Sequence, residues 1–311
     1  MRTIYAKDGP EISDLIVAFD QDTLARLPVR KSAVIEEFKR YKNLEAIKIV
    51  ERIRAHNDIL EERSVDRLLL TAHCELQRLS EEFYHGERVR MMLLPVLSTL
   101  RESGHQGTIR VVDIGCGMGF VIRWLSKYGA LGEDVELVGA DYNRVLVTEA
   151  GKLAEAEKLA CRFDVRNAFH LEEPATICIS TGVVHHFNTR DSLGGFFQNH
   201  QSDTIKAFFH FDFQPSFVTP LGSWIFHVMR MRQPLSRHDG VLSAARAHSG
   251  DVLLEACRAG APEFVSAMYG RRFYNTPFRR VMQTLIGIRP ALKEGFVRHL
   301  GADAVQLEEW K

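Results

Sequence analysis

At 311 residues with 45% hydrophobic and 26% charged content, the chain is long enough to bury its own core and has an ordinary globular composition. Forty basic and forty acidic side chains cancel, which argues against an electrostatic footprint for nucleic acid or an anionic membrane. Five scattered cysteines without a C-x-x-C pair indicate neither a disulfide framework nor a structural zinc site. The charged opening Met1–Asp14 has no apolar targeting core, so a reducing, cytoplasmic location is expected, with no membrane span.

Residues 11 to 105 read as helical throughout. Val34 to Arg54 is a basic amphipathic segment whose charges interleave with glutamates, the pattern of a solvated face. Val65, Leu68, Leu69, Ala72, Leu76, Leu79 and Phe83 recur at helical spacing behind Ser64, a candidate N-cap. Gly86 is expected to interrupt that helix. A second helix, Glu87 to Glu102, then carries Pro95, expected as a kink, towards the first strand.

From 106 onward strands and helices alternate, which implies a parallel sheet with helices on both faces. The first strand, Val111-Val112-Asp113-Ile114, runs into Gly115-Cys116-Gly117-Met118-Gly119, and Phe120, Val121, Trp124, Leu125 and Tyr128 follow at helical spacing. Glycine serves where backbone takes positive φ or approaches a ligand closely. The G-x-G-x-G spacing differs from the dinucleotide G-x-G-x-x-G, and no G-K-[ST] follows, so a P-loop is excluded. Val135 to Asp141 is a second apolar run ending in an acid, followed by Tyr142. A third, Cys161 to Val165, leads into Arg166-Asn167-Ala168-Phe169. The fourth, Ala175 to Gly182, ends in Val183-Val184-His185-His186-Phe187. Ile205 to Phe213 reads as the fifth strand, and a helix around Ser249 to Ala259 precedes a sixth, Glu263 to Tyr269. Phe278 to Ile288 is the candidate for a last strand.

These four matches in order, from Asp113 and its glycines to the tip of the fourth strand, resemble the class I S-adenosylmethionine (SAM) methyltransferases over roughly residues 106 to 270. The resemblance implies a Rossmann-like, doubly wound, mostly parallel seven-stranded sheet, here with an N-terminal helical cap. Residues 1–105 would form that cap and 106–311 the SAM-binding domain. It implies SAM as the cofactor, with Asp113, Gly115, Cys116, Gly117 and Gly119 around the methionine and ribose part. Asp141 would accept the ribose hydroxyls, and Tyr142, Asn167, Ala168 and Phe169 would meet the adenine, Asn167 standing where the family usually has Asp. Thr181 and Gly182 complete the cofactor set. The segment around Glu81 to Arg90, which family members use to close over SAM, contributes Arg88 to the cofactor and Tyr84 and His85 to the substrate.

An insertion at 214–248 carries Phe217, Trp224, Met229 and His238 at the sheet edge where ligands bind, so these four are expected to contact the acceptor. Methyl transfer aligns donor and acceptor and can need a base. His185 and His186 are the candidates, with His186 assigned to the pocket side. His210 and Asp212, two apart on one strand and so on one face, form the reserve pair. Neither the N/D-P-P-Y/F signature of amine methylation nor a Pro-Cys nucleophile occurs. The expected activity is methylation of oxygen or carbon in a small, largely apolar or aromatic molecule, with no metal and with homo-oligomers left open. The alternatives are a metal-assisted O-methyltransferase and a SAM-binding regulatory protein without turnover.

Overall fold

Eight strands, the central ones buried on both sides, build one sheet: β1 Ile109–Ile114, β2 Val135–Asp141, β3 Arg162–Val165, β4 Ile177–Thr181, β5 Ala207–Phe213, β6 Val265–Tyr269, β7 Met282–Ile288 and β8 Leu307–Glu308. The computed structural model describes residues 9–167, 174–215, 219–270, 282–308 and 310. Strand order is β8-β6-β7-β5-β4-β1-β2-β3. The five strands β1 to β5 are parallel, while β7 runs antiparallel between β5 and β6. The expected seventh strand is thus present, and its first residues, 278–281, lie outside the described ones. The eighth strand corrects the count: Leu307 and Glu308 pair antiparallel with Tyr269 and Met268. Two residues are too few to show an alternation, so this strand has no signature in the sequence.

Alternating side chains divide the core between the two faces of the sheet. Val111, Ile177, Phe209, Phe211 and Ile286 pack with Val96, Leu97 and Phe296 on one face. Val112, Cys178, Phe208 and Leu285 pack with Phe196, Phe197, Leu254 and Cys257 on the other. Helices His85–Glu102 and Lys293–Leu300 cover the first face, and Arg190–Gln198 and Gly250–Gly260 the second. Ser249 caps the last of these, its Oγ accepting the Val252 N–H at 3.4 Å.

The helix preceding the sheet does not break at Gly86. Tyr84 takes the break, at φ +56°, and the next helix already starts at His85. Gly86 sits in its first turn because a Cβ there would collide with the Trp124 indole. Ser64 likewise lies inside helix Glu62–Glu82 and is no cap.

Residues 80–214 and 247–311 make one unit, containing the sheet, and residues 1–79 and 215–246 a second. Relative to a boundary at 105, residues 80–105 therefore go with the sheet, because helix His85–Glu102 packs on β5 and on helices Phe120–Tyr128 and Lys293–Leu300. The 214–248 insertion is not an appendage of the sheet unit. Asp239 accepts the Ile12 and Ser13 N–H groups at 2.9 Å each, Ser243 donates to Glu11 at 2.8 Å, and Arg246 pairs with Asp14 at 2.9 Å. Chain segments more than 200 positions apart are joined in this way.

Nor is the N-terminal part helical throughout. Helices Lys31–Arg40 and Leu44–Glu51 are separated at Lys42, which has positive φ, and Asn43, whose side chain caps the second by accepting the Ala46 N–H at 3.0 Å. Two short hairpins, Ala18–Phe19 with Arg26–Leu27 and Ala55–His56 with Ile59–Leu60, interrupt further. The second turns on Asn57 and Asp58, both at positive φ, the residue types a tight hairpin turn favours. The basic segment does present a solvated face, with exposed pairs Lys39–Glu36 and Arg40–Glu37. No described helix is long and apolar enough to cross a membrane.

Within the second face of the sheet, His200 and His210 lie among Phe196, Phe197 and Phe208, with the two imidazole centroids 4.9 Å apart. His200 Nδ1 donates to the Phe196 carbonyl, and His210 Nδ1 meets the Ser180 hydroxyl at 2.8 Å. Burial pushes His200 down to about 4 and, with the His200 ring adding to it, His210 well below the ordinary imidazole value. Both are therefore neutral in the fold, while the unfolded chain takes up protons from about pH 6.5 downward. Their contribution to stability is complete above that value and is lost as pH falls towards 4. Denaturant unfolding at pH 7 and pH 5 should show a large loss of stability in the wild type and a smaller one in His210→Phe. Equal losses in both proteins would remove the pair as the source of acid sensitivity.

Candidate active site

The carboxyl ends of β1, β2, β4 and β5 converge, and the chemistry-bearing side chains stand there. After β1 the chain turns through Gly115, Gly117 and Gly119 at φ +69°, +54° and +71°, and Gly119 opens helix Phe120–Tyr128. A Cβ on Gly115 would come 2.7 Å from Val183 Cγ2, and one on Gly119 would strike the Phe163 ring. The turn is tied to β2: Gly115 and Cys116 N–H groups both donate to the Ala140 carbonyl, at 2.8 and 3.1 Å.

Asp141, at the tip of β2, completes that tie. Its Oδ2 accepts the Gly117 N–H and its Oδ1 the Asn143 N–H, each at 2.9 Å. Asn143 in turn caps helix Arg144–Ala156 through the Val145 N–H at 3.1 Å. The carboxylate is therefore engaged, yet each oxygen keeps a second acceptor position for a hydroxyl. Burial raises its pKa against the opposing pull of the Asn143 and Gly117 N–H groups and of His186. Asp113 is 1% exposed and its Oδ1 has no hydrogen-bond partner among the described residues. Burial first, then the nearby Asp141, hold it well above the usual carboxylate range.

These features test the cofactor. The positive-φ glycine cradle, the orphaned Asp113 oxygen and the spare acceptor positions of Asp141 beside the half-exposed Tyr142 fit a hydroxyl-bearing group such as the ribose of SAM. Cys116 lies in the turn with its thiol pushed well up by burial, next to Asp141 and Asp113. Gly182, at φ +67°, donates its N–H to the Phe211 carbonyl at 2.8 Å, and Thr181 ends β4 beside it. Asn167 is half-buried just past β3, whereas Ala168 and Phe169 lie outside the described residues.

Past β4, Val184–His186 forms a single 3₁₀ turn. There the structure pairs Asp212 with His185: the His185 backbone N–H donates to Oδ2 at 2.9 Å, and Nδ1 lies 2.9 Å from Oδ1 and 3.1 Å from Oδ2. Burial disfavours the Asp212 charge, but the His185 ring and the Phe213 and His185 N–H groups outweigh it, holding the carboxylate below its usual value. An ionised Asp212 makes Nδ1 the protonated nitrogen and Nε2 the basic one. The expected pair of His210 with Asp212 does not form, since His210 is turned into the aromatic core described above. The His186 ring is tilted against that of His185, centroids 4.4 Å apart.

At the start of helix His85–Glu102, Tyr84 is exposed, His85 is buried, and Arg88 Nε donates to the Phe83 carbonyl at 2.8 Å. In the other unit, Trp224 and Met229 are exposed on helix Thr219–Arg230, and Phe217 lies outside the described residues. His238 is fully buried with both ring nitrogens engaged, Nδ1 at 2.7 Å from Asp239 and Nε2 at 2.7 Å from Asn43, which makes it part of that unit's framework. Sequence reasoning missed Asn143 and Val183. Asn143 had a signal, a capping residue placed two positions after an acid at a strand end, while Val183 had none.

Residues 111–200 match a family model described as a methyltransferase domain. No curated protein matches the chain. Among solved structures, magnesium protoporphyrin IX methyltransferase from Synechocystis with bound SAH is 16% identical, covering 83% of this chain and 99% of its own, at TM-score 0.41. The plantazolicin methyltransferase BpumL, in complex with a desmethyl analogue and SAH, is 12% identical over 73% of this chain and 98% of its own, at TM-score 0.44. A TehB-like SAM-dependent methyltransferase from Corynebacterium glutamicum is 13% identical over 62% of this chain and 87% of its own, at TM-score 0.39. The family match spans the glycine turn and the tips of β2 and β4, so residues 111–200 are similar to a methyltransferase domain.

Proposed function

We propose that this enzyme transfers the methyl group of SAM to an oxygen of a small, largely apolar or aromatic molecule. The observation that carries the choice of oxygen is the His185–Asp212 hydrogen bond at the joined tips of β4 and β5. A hydroxyl acceptor must lose its proton as the new bond to carbon forms, and a base within reach lowers that barrier. Asp212 orients the His185 ring, fixes Nε2 as the proton acceptor, and stabilises the imidazolium that results. When bound, SAM supplies the electrophilic sulfonium methyl group. Asp113, the glycine turn and Asp141 hold the methionine and ribose end of the cofactor, and Tyr142 and Asn167 meet the adenine. Arg88 lies on the methionine side in this reading.

On helix Thr219–Arg230 of the other unit, Leu221, Trp224, Ile225, Val228 and Met229 are all at least 41% exposed, and their three- and four-residue spacing gathers them on one face of that helix. A carbon acceptor is the second reading. Its π-electrons attack directly, so it needs alignment but no base before transfer.

Two measurements test the assignment. Asp141→Ala and Gly117→Val should each abolish SAM binding by calorimetry, the first by removing the hydroxyl acceptor and the turn's anchor, the second by placing a branched side chain at positive φ. Affinity near that of the wild type in both would remove the cofactor site from this turn. With a methylated product in hand, His185→Gln should lower kcat by about 10²–10⁴ while leaving SAM affinity within about twofold. Asp212→Asn should follow it, and His210→Phe should not. Undiminished turnover in His185→Gln would leave the carbon reading standing and the oxygen one without its base.

A further inference from the structure

The paired register of β4 and β5 ends at Thr181 and Phe211, where the Gly182 N–H donates to the Phe211 carbonyl at 2.8 Å. His185 and Asp212 both lie beyond that pair, so side chains have to hold the turn after β4 against the tip of β5. From its other side that tip is held by β7, where Gln283 stands opposite Asp212 and Met282 opposite Phe213. Directly opposed residues of paired strands project to one face, which places Gln283 on the Asp212 face of the sheet.

Gln283 is 1% exposed, and its amide nitrogen donates twice, to the Phe213 carbonyl at 3.1 Å and to the His248 carbonyl at 2.6 Å. Both N–H bonds of the amide are thereby used. Turning the amide over would set Oε1 against two carbonyl oxygens, so these contacts fix its orientation. They do so although Oε1 is left buried without a hydrogen-bond partner among the described residues. His248 continues the connection: its Nε2 lies 3.0 Å from the Phe187 carbonyl, which can only accept, so Nε2 carries a proton. Phe187 ends the 3₁₀ turn Val184–His186, its own N–H donating to the Val184 carbonyl at 3.1 Å.

The contacts close a ring around the base. From Asp212 the ring runs along the chain to Phe213, across Gln283 to His248, on to Phe187, back along the turn to His185, and through Nδ1 to Asp212 again. Phe213 also meets both members of the pair: its N–H donates to Asp212 Oδ1 at 2.7 Å, and its ring centroid is 6.1 Å from that of His185.

We propose that Gln283 and His248 are positioning residues for the His185 base, clamping the exit of β4 to the tip of β5 so that Nδ1 stays on the Asp212 carboxylate. The inference rests on the reading of His185 and Asp212 given above and adds two residues that act through that pair. A ring that swings off its carboxylate loses its orientation and its fixed tautomer together, so the clamp sets what fraction of the enzyme is ready to accept a proton.

Nitrogen-15 NMR of the histidine rings at about pH 9 reads the His185 tautomer without any acceptor molecule. Wild type, Gln283→Met, His248→Phe and His248→Gln are compared, and S-adenosylhomocysteine is titrated into each by calorimetry. Gln283→Met removes both amide donors at nearly constant length, His248→Phe removes the ring N–H, and His248→Gln offers an amide N–H in its place. The expected result is a proton on His185 Nδ1 in the wild type, a mixture of both tautomers in Gln283→Met and His248→Phe, and recovery of the Nδ1 form in His248→Gln. Affinity for S-adenosylhomocysteine should stay within about twofold throughout, and the His200 and His210 signals should not move, as they would in a general loosening of the core. A wild-type His185 protonated on Nε2 would remove the base reading itself. If the wild type is protonated on Nδ1 and His248→Phe or a folded Gln283→Met keeps that form, Asp212 holds the ring unaided and only the clamp is overturned. Displaced His200 and His210 signals, or lost S-adenosylhomocysteine affinity, in His248→Phe would make these contacts general scaffolding and overturn it as well. Should Gln283→Met fail to fold, the two His248 variants decide in the same terms.

Discussion

The hydrogen bond from the Gly117 N–H to Asp141 Oδ2 is the constraint on which the active end of the sheet depends. It locks the glycine turn after β1 to the tip of β2, and the other oxygen of the same carboxylate fixes Asn143 and so the start of the next helix. Gly115 and Cys116 of the turn are half-buried, Gly117 to Gly119 are buried, and the buried Asp113 precedes them on β1. A turn of this kind cannot tolerate side chains at Gly115 or Gly119, because Val183 and Phe163 already fill the space a Cβ would need. Close packing of β4's exit and β3 against the turn is thus what demands the glycines, independently of any ligand.

The second consequence is a division of labour among the histidines. His85, His185 and His210 all belong to the sheet unit, and their environments differ. His210 is dried out among phenylalanines and serves the core. His185 has a carboxylate and can hold a proton in transit. His85 is buried, and neither of its ring nitrogens has a hydrogen-bond partner among the described residues.

Much of this was legible in the chain. The β1 glycine turn, the acid ending β2 and the alternation of strands and helices carry strong local signals: apolar runs ended by acids, glycines or capping residues. What the sequence left open is pairing across strands. His210 and Asp212 share a face, and spacing alone made them partners. The turn after β4 brings His185 to Asp212 instead, a contact between positions 27 apart that no local pattern encodes. The two N-terminal hairpins and the break at Tyr84 escaped for a related reason: short elements and a non-glycine residue at positive φ are decided by tertiary packing, here around Trp124 and Gly86. The 215–246 segment, expected as an addition to the sheet, belongs by its hydrogen bonds to residues 11–14, more than 200 positions earlier.

The claim at the centre of this account is that Asp212 sets the tautomer of His185. Nitrogen-15 NMR of the histidine rings, recorded at about pH 9 where imidazoles are neutral, reads this directly. The account predicts that His185 carries its proton on Nδ1, with an unprotonated Nε2, and that Asp212→Asn removes this bias while leaving the signals of His200 and His210 in place. A wild-type His185 protonated on Nε2 would contradict it, because that nitrogen could then accept no proton from a hydroxyl.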